Sequence, residues 1–595
     1  MRKILIIFVF VLGSCGLYAQ DQAIAHQYFN DGNFEKALVY FEKLHRKNPM
    51  NQNYIRSLVY CYQELDRLDD AENLLKEQLT KSPVSPVTYI DLGYNYGLKG
   101  NEKEEDACYD KAIASLDERP SYAYSVGHTF KNKALLDEAI RAFKKGMELD
   151  PNLNFNYDLA YIYGEKGDLE NMYETYLDLI VDRSNLKENI KRNIGRFIFD
   201  DEDAESNALL RKILLKRAQT QPNILWNELL SWLFIQQKHY RSALTQEKAI
   251  YNRAEEPSLD GIIDLGMIAY DDNDMETAKS AFDFIREHTS MADTKLEAEL
   301  YLLKIRILSS TPDDYAAIEK QFNALLETYG ANQTTVALQL ERARFSAFTL
   351  DNGAEAVKIL KTMLEEPLSK YERASVKMEL GDILVYMEQF NQALIYYAQV
   401  QKEMKNDVLG QTARFKVAQA SFYKGDFEWA ETQAKVLKSS TSQLIANDAL
   451  QLKLLISDNT LGDSLQTALK IYAKADLMAY QEKDEAAIAL LDSLLVNHKG
   501  EDIEDEALLK QASLFRKKGE FEMAEKNYVK IINFFADGIL MDDALYELGM
   551  LYMEDMNSPE KAKPLFERLI FEHQDSVYFV EARKVYRKLR GDVLE

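Results

Sequence analysis

Two runs of carboxylates are the densest sets of metal-binding side chains in the sequence. They cover Asp200 to Glu205 (DDEDAE) and Glu501 to Glu506 (EDIEDE). Carboxylate oxygens are the ligands that Ca²⁺ prefers, but an EF-hand loop also needs regularly spaced ligands and a central glycine. Both runs depart from that spacing and lack that glycine. We therefore predict that they are solvated loops or helix starts.

The other residue types that support catalysis are scattered along the chain. The histidines form no HExxH pair, and the sequence contains no Cys-x-x-Cys, no GxxxxGK[ST] phosphate loop and no Gly-x-Ser-x-Gly elbow. The seven histidines are His26, His45, His128, His239, His288, His498 and His573. These patterns predict a non-catalytic protein with no metal and no cofactor.

Two cysteines, Cys61 and Cys108, lie in patterns typical of helices. A free thiol is among the most often buried side chains in proteins. We predict two buried free thiols here, in preference to a disulfide or a metal site.

Charge and composition narrow the class of partner. The 595 residues include 72 Lys plus Arg against 97 Asp plus Glu, a net charge of -25. Such a chain is repelled by phosphate backbones and by anionic lipid, so we predict no nucleic-acid partner. The 46% hydrophobic content and only 11 prolines favour helix-rich globular structure throughout.

The N-terminus has the pattern of an export signal. Arg2 and Lys3 precede an apolar run from Ile4 to Leu12, which is too short to span a bilayer. Two processing sites remain open: cleavage after Ala19, or a lipoprotein-type sequence, LGSC, in which Cys15 is lipidated. Either predicts a periplasmic protein, and the second adds an outer-membrane lipid anchor as its membrane contact.

A period of 34 residues organises the chain that follows. Small residues, aromatic or leucine residues, and prolines each recur at this interval, with Glu105 in place of a small residue. The recurring residues are Ala37, Ala71, Glu105 and Ala139; Phe41, Leu75, Tyr109 and Phe143; and Pro49, Pro83 and, after one copy that lacks the proline, Pro151. A fixed period of this length indicates a repeat architecture.

This pattern resembles the tetratricopeptide repeat, a helix-turn-helix unit of 34 residues. The segment YIDLGYNYGLKGN supplies the first-helix residues Leu92, Gly93 and Tyr96. The segment YSVGHTFKNKALLDEAIRAFKKGMELDP supplies residues of both helices, namely Gly127, Phe130, Ala139, Phe143, Gly146 and Pro151. The resemblance implies an all-α fold, a right-handed superhelical solenoid of such repeats.

The regularity of the repeat divides the chain into four parts. After a signal peptide at 1–19, we predict an N-terminal array at 20–184, degenerate helical repeats at 185–350, and a C-terminal array at 351–595. Clear late copies centre on Gly381 with Ala393, and on Gly549 with Ala562.

The C-terminal segment FEHQDSVYFVEARKVYRKLRGD resembles the ends of repeat arrays in bacterial envelope proteins, such as outer-membrane assembly factors. It predicts a closing helix from about Val580 to Leu589, capped by Asp575 or Ser576. Together with the export signal, the resemblance implies a protein of the Gram-negative, Bacteroidetes-like cell envelope.

In the tetratricopeptide family the exposed residues of the first helices line a groove. Carried onto this sequence, that rule selects Arg56, Tyr60, Ile90, Tyr94, Tyr124, His128, Lys131 and Asp158. Aromatic rings among a few charges suit a peptide or protein segment. The alternative is that these tyrosines pack between helices. Tyr60 and Ile90 also stand where one variant of the family carries a polar carboxylate clamp, so the resemblance does not imply that chaperone-adaptor activity.

The predicted function is a non-catalytic scaffold that binds envelope proteins or their peptide segments in this groove. Two alternatives remain open. The same aromatic groove would suit a glycan or peptidoglycan, and the degenerate segment from Asn185 to Leu350 would accommodate an enzyme if it held clustered polar groups in a deep pocket.

Overall fold

The computed structural model describes residues 21–81, 84–199, 204–437, 442–460 and 466–591. The predicted export signal, with Cys15 and the cleavage site after Ala19, lies outside the described residues, as do the first four residues of the first acidic run. Among the described residues there are α-helices, a few short 3₁₀ and π segments, and no β-strand. The all-α prediction is confirmed.

The helices are numbered in chain order, and all are between 9 and 17 residues long where both ends are described. They are α1 (21–30), α2 (Phe34–Lys47), α3 (Gln52–Glu64), α4 (Leu68–Leu79), α5 (Pro86–Leu98), α6 (Glu102–Ala114), α7 (Tyr122–Asn132), α8 (Leu136–Leu149), α9 (Asn156–Glu165), α10 (Leu169–Asp182), α11 (Lys187–Gly195), α12 (Glu205–Thr220), α13 (Ile224–Gln236), α14 (Tyr240–Arg253), α15 (Asp260–Asp271), α16 (Met275–His288), α17 (Ala292–Leu308), α18 (Tyr315–Tyr329), α19 (Val336–Arg344), α20 (Gly353–Met363), α21 (Lys370–Tyr386), α22 (Phe390–Glu403), α23 (Val408–Lys424), α24 (Phe427–Val436), α25 (Gln443–Asp458), α26 (Thr467–Tyr480), α27 (Asp484–Asn497), α28 (Glu504–Lys517), α29 (Phe521–Phe534), α30 (Met541–Met550), α31 (Pro559–Glu572) and α32 (Phe579–Arg590).

The chain forms two compact units, Met1–Gln246 and Glu247–Glu595. In each unit a helix packs against the next one along the chain, as α5 with α6 and α7 with α8 in the first, and α21 with α22 and α28 with α29 in the second. The division between the units falls inside the segment predicted to be degenerate. The predicted array boundaries at 184 and 350 stay predictions.

A small residue in the first helix of a repeat lets an aromatic ring of the second helix approach its backbone. A Cβ atom added to Gly93 would lie 2.6 Å from Cε1 of Tyr109, and one added to Gly127 would lie 2.4 Å from Cε1 of Phe143. Tyr109 and Phe143 are buried. These contacts explain why the spacing of small and aromatic residues is retained: the ring fills the space that the missing side chain leaves.

The same contact occurs in the second unit, where one copy is spaced differently. Gly381 and Tyr397 are sixteen positions apart, as in the first unit, but Gly549 and Phe566 are seventeen apart. A π-helical turn at Leu551–Asp555 inserts the additional residue. A Cβ atom on Gly549 would still lie 2.7 Å from Phe566 Cζ, so the π turn preserves the packing while it shifts the sequence register.

Glu105, the departure from the small-residue pattern, lies beside a glycine of the neighbouring helix. A Cβ atom on Gly97 would lie 2.7 Å from the Glu105 carboxylate oxygens. The hydroxyl of Tyr109 donates a hydrogen bond of 2.9 Å to Glu105 Oε1. Gly97 thus supplies the space that a small residue provides elsewhere, and Tyr109 satisfies the polar group.

Turns between the two helices of a repeat contain a residue with positive φ. In the first unit these residues are Gly32, Asp66, Gly100, Ala134, Gly167 and Lys238. The first five recur every 33 or 34 positions, close to the period of the sequence. Glycine adopts this left-handed conformation without steric cost, whereas Asp66 and Ala134 adopt it because the flanking helices are held by packing.

The predicted thiols are confirmed: Cys61 and Cys108 are both free and buried. Burial raises the pKa of the Cys61 thiol to about 12, with a small further contribution from Glu64. Both thiols are therefore protonated at neutral pH and poorly reactive.

The second acidic run contains a helix start, as predicted; its first residues, Glu501 and Asp502, are exposed, but its last three are not solvated. Glu504 begins α28, and Glu504, Asp505 and Glu506 are all buried. Glu504 accepts from Lys530 Nζ at 2.7 Å. The neighbouring helices cover this end of α28, and the sequence pattern of the run alone does not reveal them.

The C-terminal helix is present, but its predicted cap is wrong. α32 begins at Phe579, and the N-cap residue is Tyr578. Ser576 Oγ accepts from the backbone N–H of Tyr578 at 3.1 Å, so Ser576 stabilises the turn that precedes the helix.

Candidate functional site

Three of the predicted groove residues line one cavity in the first unit. Arg56 and Tyr60 of α3 and Tyr94 of α5 lie together there, and the cavity volume is about 460 Å³. The full lining comprises Arg56, Tyr60, Gln63, Glu64, Val87, Asp91, Tyr94, Leu98, Thr129, Asn132 and Lys133. These residues come from α3, α5 and the end of α7, three successive first helices. We call this site the Tyr60 pocket.

Aromatic neighbours hold the Tyr60 ring from one side. Its centroid is 5.1 Å from that of Phe29 and 5.7 Å from that of Phe34, yet the residue is 45% exposed. Partial burial, followed by the Glu64 carboxylate, raises the pKa of the Tyr60 hydroxyl. The ring is thus held in place and neutral, with one face left to bury another group.

A lysine that follows α7 organises the opposite side of the pocket. Lys133 Nζ lies 3.1 Å from Asp91 Oδ1 and 4.3 Å from the centroid of the Tyr94 ring. Ion pairing and a cation–π contact therefore act on the same ammonium group. The pairing leaves the pocket with cationic Arg56 and anionic Glu64 at its edge.

Four other predicted residues form a second group, which we call the Tyr124 cluster: Tyr124, His128, Lys131 and Asp158. Tyr124 is 64% exposed, and its ring centroid lies 4.5 Å from that of His128. Lys131 Nζ donates to Asp158 Oδ1 at 2.9 Å, and His128 Nε2 is 3.8 Å from the same oxygen.

The electrostatics of the Tyr124 cluster keep its histidine neutral. Burial lowers the pKa of His128, the Asp158 carboxylate opposes this effect, and Lys131 adds to it. Because Asp158 is already paired with Lys131, the cluster offers an exposed ring and a neutral imidazole rather than a free charge.

Ile90 was selected as a groove residue, and this prediction is wrong. Ile90 is fully buried. α5 buries residues over most of its circumference, including Val87, Leu92 and Tyr96, so the position that is exposed at Arg56 and Tyr124 turns inward at Ile90. Burial of the isoleucine removes apolar area from water.

Asp91, Gln63 and Lys133 were missed by the sequence analysis. Asp91 lies three positions before Tyr94, and Gln63 three positions after Tyr60, so helical spacing alone places them on the predicted face. Lys133 follows the last residue of α7, and no sequence spacing indicates it, because its contact with Asp91 crosses from one repeat to the next.

The segment considered for a concealed enzyme contains a small cavity of about 290 Å³. Lys248 of α14 lines it, with Ser280, Asp283 and Phe284 of α16. Burial lowers the pKa of Lys248, whose Nζ lies 5.0 Å from the Phe284 centroid and 3.3 Å from Ser280 Oγ. These groups pair α14 with α16.

The described residues contain neither a metal site nor a membrane-spanning helix. Over the described parts of the chain, no group of three or more His, Cys, Asp or Glu residues is placed to hold a metal ion. In those same parts, no helix combines the length and the apolar character needed to cross a bilayer.

Two segments of the chain match models of the tetratricopeptide repeat, at residues 120–153 and 543–576. The chain contains tetratricopeptide repeats. The first match covers α7 and α8, and the second covers α30 and α31, so each compact unit contains one matched segment. These repeats are helix pairs of the kind that the sequence period predicts, and arrays of them are typically non-catalytic.

Two solved structures are similar to this chain. One is a structure of Naa15/Naa10 bound to HypK-THB, with 12% sequence identity and a TM-score of 0.29; the match covers 97% of this chain and 94% of that chain. The other is a tetratricopeptide repeat protein from Parabacteroides merdae ATCC 43184, with 13% sequence identity and a TM-score of 0.25; the match covers 50% of this chain and 99% of that chain. Because both TM-scores are low, we base no assignment on either likeness.

Proposed function

We propose that this protein is a non-catalytic scaffold that binds partner proteins through the Tyr60 pocket and the Tyr124 cluster. The observation that supports the proposal is the meeting of Arg56, Tyr60 and Tyr94, from consecutive repeats, around one cavity of about 460 Å³. Repeat arrays build extended binding surfaces in this way, each repeat adding a few contacts.

The chemistry of the pocket favours a protein segment as its occupant. Tyr60 and Tyr94 offer aromatic area at little cost in side-chain entropy, because contacts with Phe29 and Lys133 already hold the rings. The charged lining is balanced, with Arg56 and Lys133 against Glu64 and Asp91. A mixed polar and aromatic peptide satisfies both features, since it can bury apolar side chains and still pair its polar groups.

We also propose that the scaffold works in the Gram-negative cell envelope, after export to the periplasm. The support for this is the N-terminal pattern of Arg2, Lys3 and the apolar run from Ile4 to Leu12. Processing after Ala19 gives a soluble periplasmic protein, and lipidation of Cys15 gives an outer-membrane anchor. Fractionation of cells that express the full-length protein and its Cys15→Ala variant separates the two outcomes.

The binding proposal is tested by capture from native cell envelopes. The full-length protein with a C-terminal tag serves as bait, beside a Tyr60→Ala/Tyr94→Ala variant. A Tyr371→Ala variant is the matched control, because Tyr371 is also an exposed tyrosine, 59% accessible, and does not line the Tyr60 pocket. Its hydroxyl donates a hydrogen bond to the carboxylate of Asp407. We expect a defined set of envelope proteins with wild type and control, and its loss with the double variant.

A partner from that set must then bind the purified protein directly, with the same dependence on Tyr60 and Tyr94. Equal capture by all three baits would contradict the proposal. Co-sedimentation with purified peptidoglycan, lost in the double variant while no protein is captured, would favour glycan binding instead.

A further inference from the structure

A second cavity lies in the second compact unit, and its lining is strongly acidic. Its volume is about 670 Å³. Side chains of α23, α25, α26, α28 and α30 line it, with two residues that precede α30 and single residues of α29 and of the segment before α32. Its charged residues are Asp448, Asp476, Glu506, Asp543, Glu547 and one cation, Lys510. We call this site the acidic cavity.

Cations inside the unit compensate only part of this charge. Lys510 Nζ lies 2.5 Å from Asp476 Oδ1, and Arg516 lies 3.1 Å from Glu547 Oε2. Within the part of the chain that the structure describes, no ion pair reaches Asp448, Glu506 or Asp543. Among the described residues, three carboxyl groups of the cavity therefore have no cationic partner.

Glu506 is the clearest example of an unsatisfied group. The residue is only 9% exposed; its Oε1 accepts from Asn459 Nδ2 at 3.2 Å, and no described donor reaches Oε2. Burial, with the neighbouring carboxyl of Asp505, raises the pKa of Glu506. A buried carboxyl with one oxygen left without a donor is unfavourable when ionised, and a ligand that supplies a positive donor would relieve this cost.

Asp543 shows the same shortage of positive charge. Its Oδ1 accepts from the hydroxyl of Tyr578 at 2.9 Å, and burial raises its pKa from 3.8 to about 6. One neutral hydrogen bond does not offset the loss of water around a carboxylate. The next cavity along, of about 520 Å³, lacks this imbalance, because Lys510 and Lys517 there face Asp476 and Asp484.

The walls of the acidic cavity are aromatic and apolar. Phe415 and Phe422 of α23 contribute to it, together with Tyr472, Tyr528 and Tyr578. Aromatic faces attract cations, and they attract the planar guanidinium of arginine in particular. Carboxylates and rings around one cavity are thus the complement of an arginine side chain.

Other ligand classes fit less well. An anion would meet five carboxyl groups against one lysine. A metal ion needs several converging ligands, and the described residues contain no such group. An organic cation needs only charge and a surface on which to stack.

We propose that the acidic cavity binds a basic segment of a partner protein, with an arginine side chain inserted among Glu506, Asp543 and the tyrosine rings. This site is separate from the Tyr60 pocket and uses no residue of it. Failure of either proposal therefore leaves the other intact.

The test measures binding of fluorescein-labelled hexa-arginine by anisotropy, with hexalysine and hexaglutamate as comparison probes. The cavity variant Asp448→Asn/Glu506→Gln/Asp543→Asn replaces three ionisable carboxyl groups by neutral amides and keeps one acceptor oxygen at each position. A control variant, Glu428→Gln/Glu522→Gln/Glu560→Gln, removes three exposed carboxylates of α24, α29 and α31 that do not line the cavity. Circular dichroism establishes that all three proteins are folded.

We expect hexa-arginine to bind more tightly than hexalysine and hexaglutamate not to bind. The cavity variant should weaken hexa-arginine binding at least about tenfold, because the guanidinium loses its charge-assisted hydrogen bonds to the cavity. The control variant should change it by less than about twofold, as expected for exposed charges.

Two results would overturn the proposal. Equal weakening in both triple variants would show attraction to the overall charge of -25 rather than to the cavity. Calcium or spermidine binding that is lost in the cavity variant, with no binding of hexa-arginine, would make the cavity a site for small cations.

Discussion

The Tyr60 pocket and the acidic cavity are built mainly from the first helices of consecutive repeats, yet they balance charge differently. In the Tyr60 pocket, Arg56 and Lys133 face Glu64 and Asp91. In the acidic cavity, five carboxyl groups face Lys510 alone. The charges of the first site therefore balance, with Lys133 paired to Asp91, whereas the second site is short of cations.

The difference shows that the repeat fixes where side chains point but not what they recognise. Tyr60 and Asp476 occupy the same place in their repeats, each eleven positions before a fully buried alanine, Ala71 or Ala487. One position presents a ring and the other a carboxylate. Packing constrains the small and aromatic core residues, so the exposed positions of the first helices are free to differ between regions.

The largest expected effect tests the architecture that the two regions share. Gly93→Val and Gly549→Val should each lower the free energy of unfolding by about 3 kcal/mol. The reason is that the new Cβ atom would clash with a buried ring, 2.6 Å away at Gly93 and 2.7 Å away at Gly549. Urea unfolding followed by circular dichroism measures both.

Gly195→Ala is the matched control for these glycine variants. Its nearest neighbour, Trp232 Cζ2, lies 3.9 Å from the new Cβ atom, so the change should be neutral or stabilise by about 0.5–1 kcal/mol through helix propensity. If the two valine variants were as stable as this control, the proposed packing rule would be wrong.

The pH dependence of ligand affinity, an effect of intermediate size, should distinguish the two sites. Asp543, with its pKa raised to about 6 by burial, is mostly protonated at pH 5 and mostly ionised at pH 7. Hexa-arginine affinity should therefore rise about tenfold over this range, since a carboxylate attracts the guanidinium and a neutral carboxyl does not.

Asp543→Asn should flatten this rise, and anisotropy titrations at several pH values measure it. The partner of the Tyr60 pocket should show a weaker dependence between pH 5 and 7, because no histidine lines that pocket. Identical pH profiles at the two sites would remove the electrostatic distinction between them.

The smallest effect concerns the pairing inside the Tyr60 pocket. Lys133→Met removes the ammonium that contacts Asp91 and Tyr94 and keeps the aliphatic stem. Stability should fall by at most about 1 kcal/mol, as for other partly exposed pairs. Partner affinity should fall by a similar amount, since Tyr94 loses one of its supports, and titration calorimetry with the purified partner measures it. An unchanged affinity would mean that Lys133 does not help to position Tyr94.

Much of the fold could be predicted from local patterns. The spacing of Gly127 and Phe143 predicted a helix pair, because a close approach of two helices requires a small residue opposite a large one. The π turn at Leu551–Asp555 escaped prediction, since the one-residue shift it introduces has no local sequence signature. Pocket-lining residues that share one helix face, such as Tyr60, could be predicted from the sequence. Lys133 could not, because its contact with Asp91 joins two repeats.

The sequence by itself determined the repeat, the helical class and the burial of Cys61 and Cys108, since these depend on periodic side-chain size and polarity. Only the tertiary structure decided that Ile90 turns inward and that Glu506 is buried with no described donor to its Oε2. The physical reason is that exposure and charge balance depend on neighbours from other repeats. Helix packing brings Glu506 and Asp543 to one cavity, and neither segment alone contains that information.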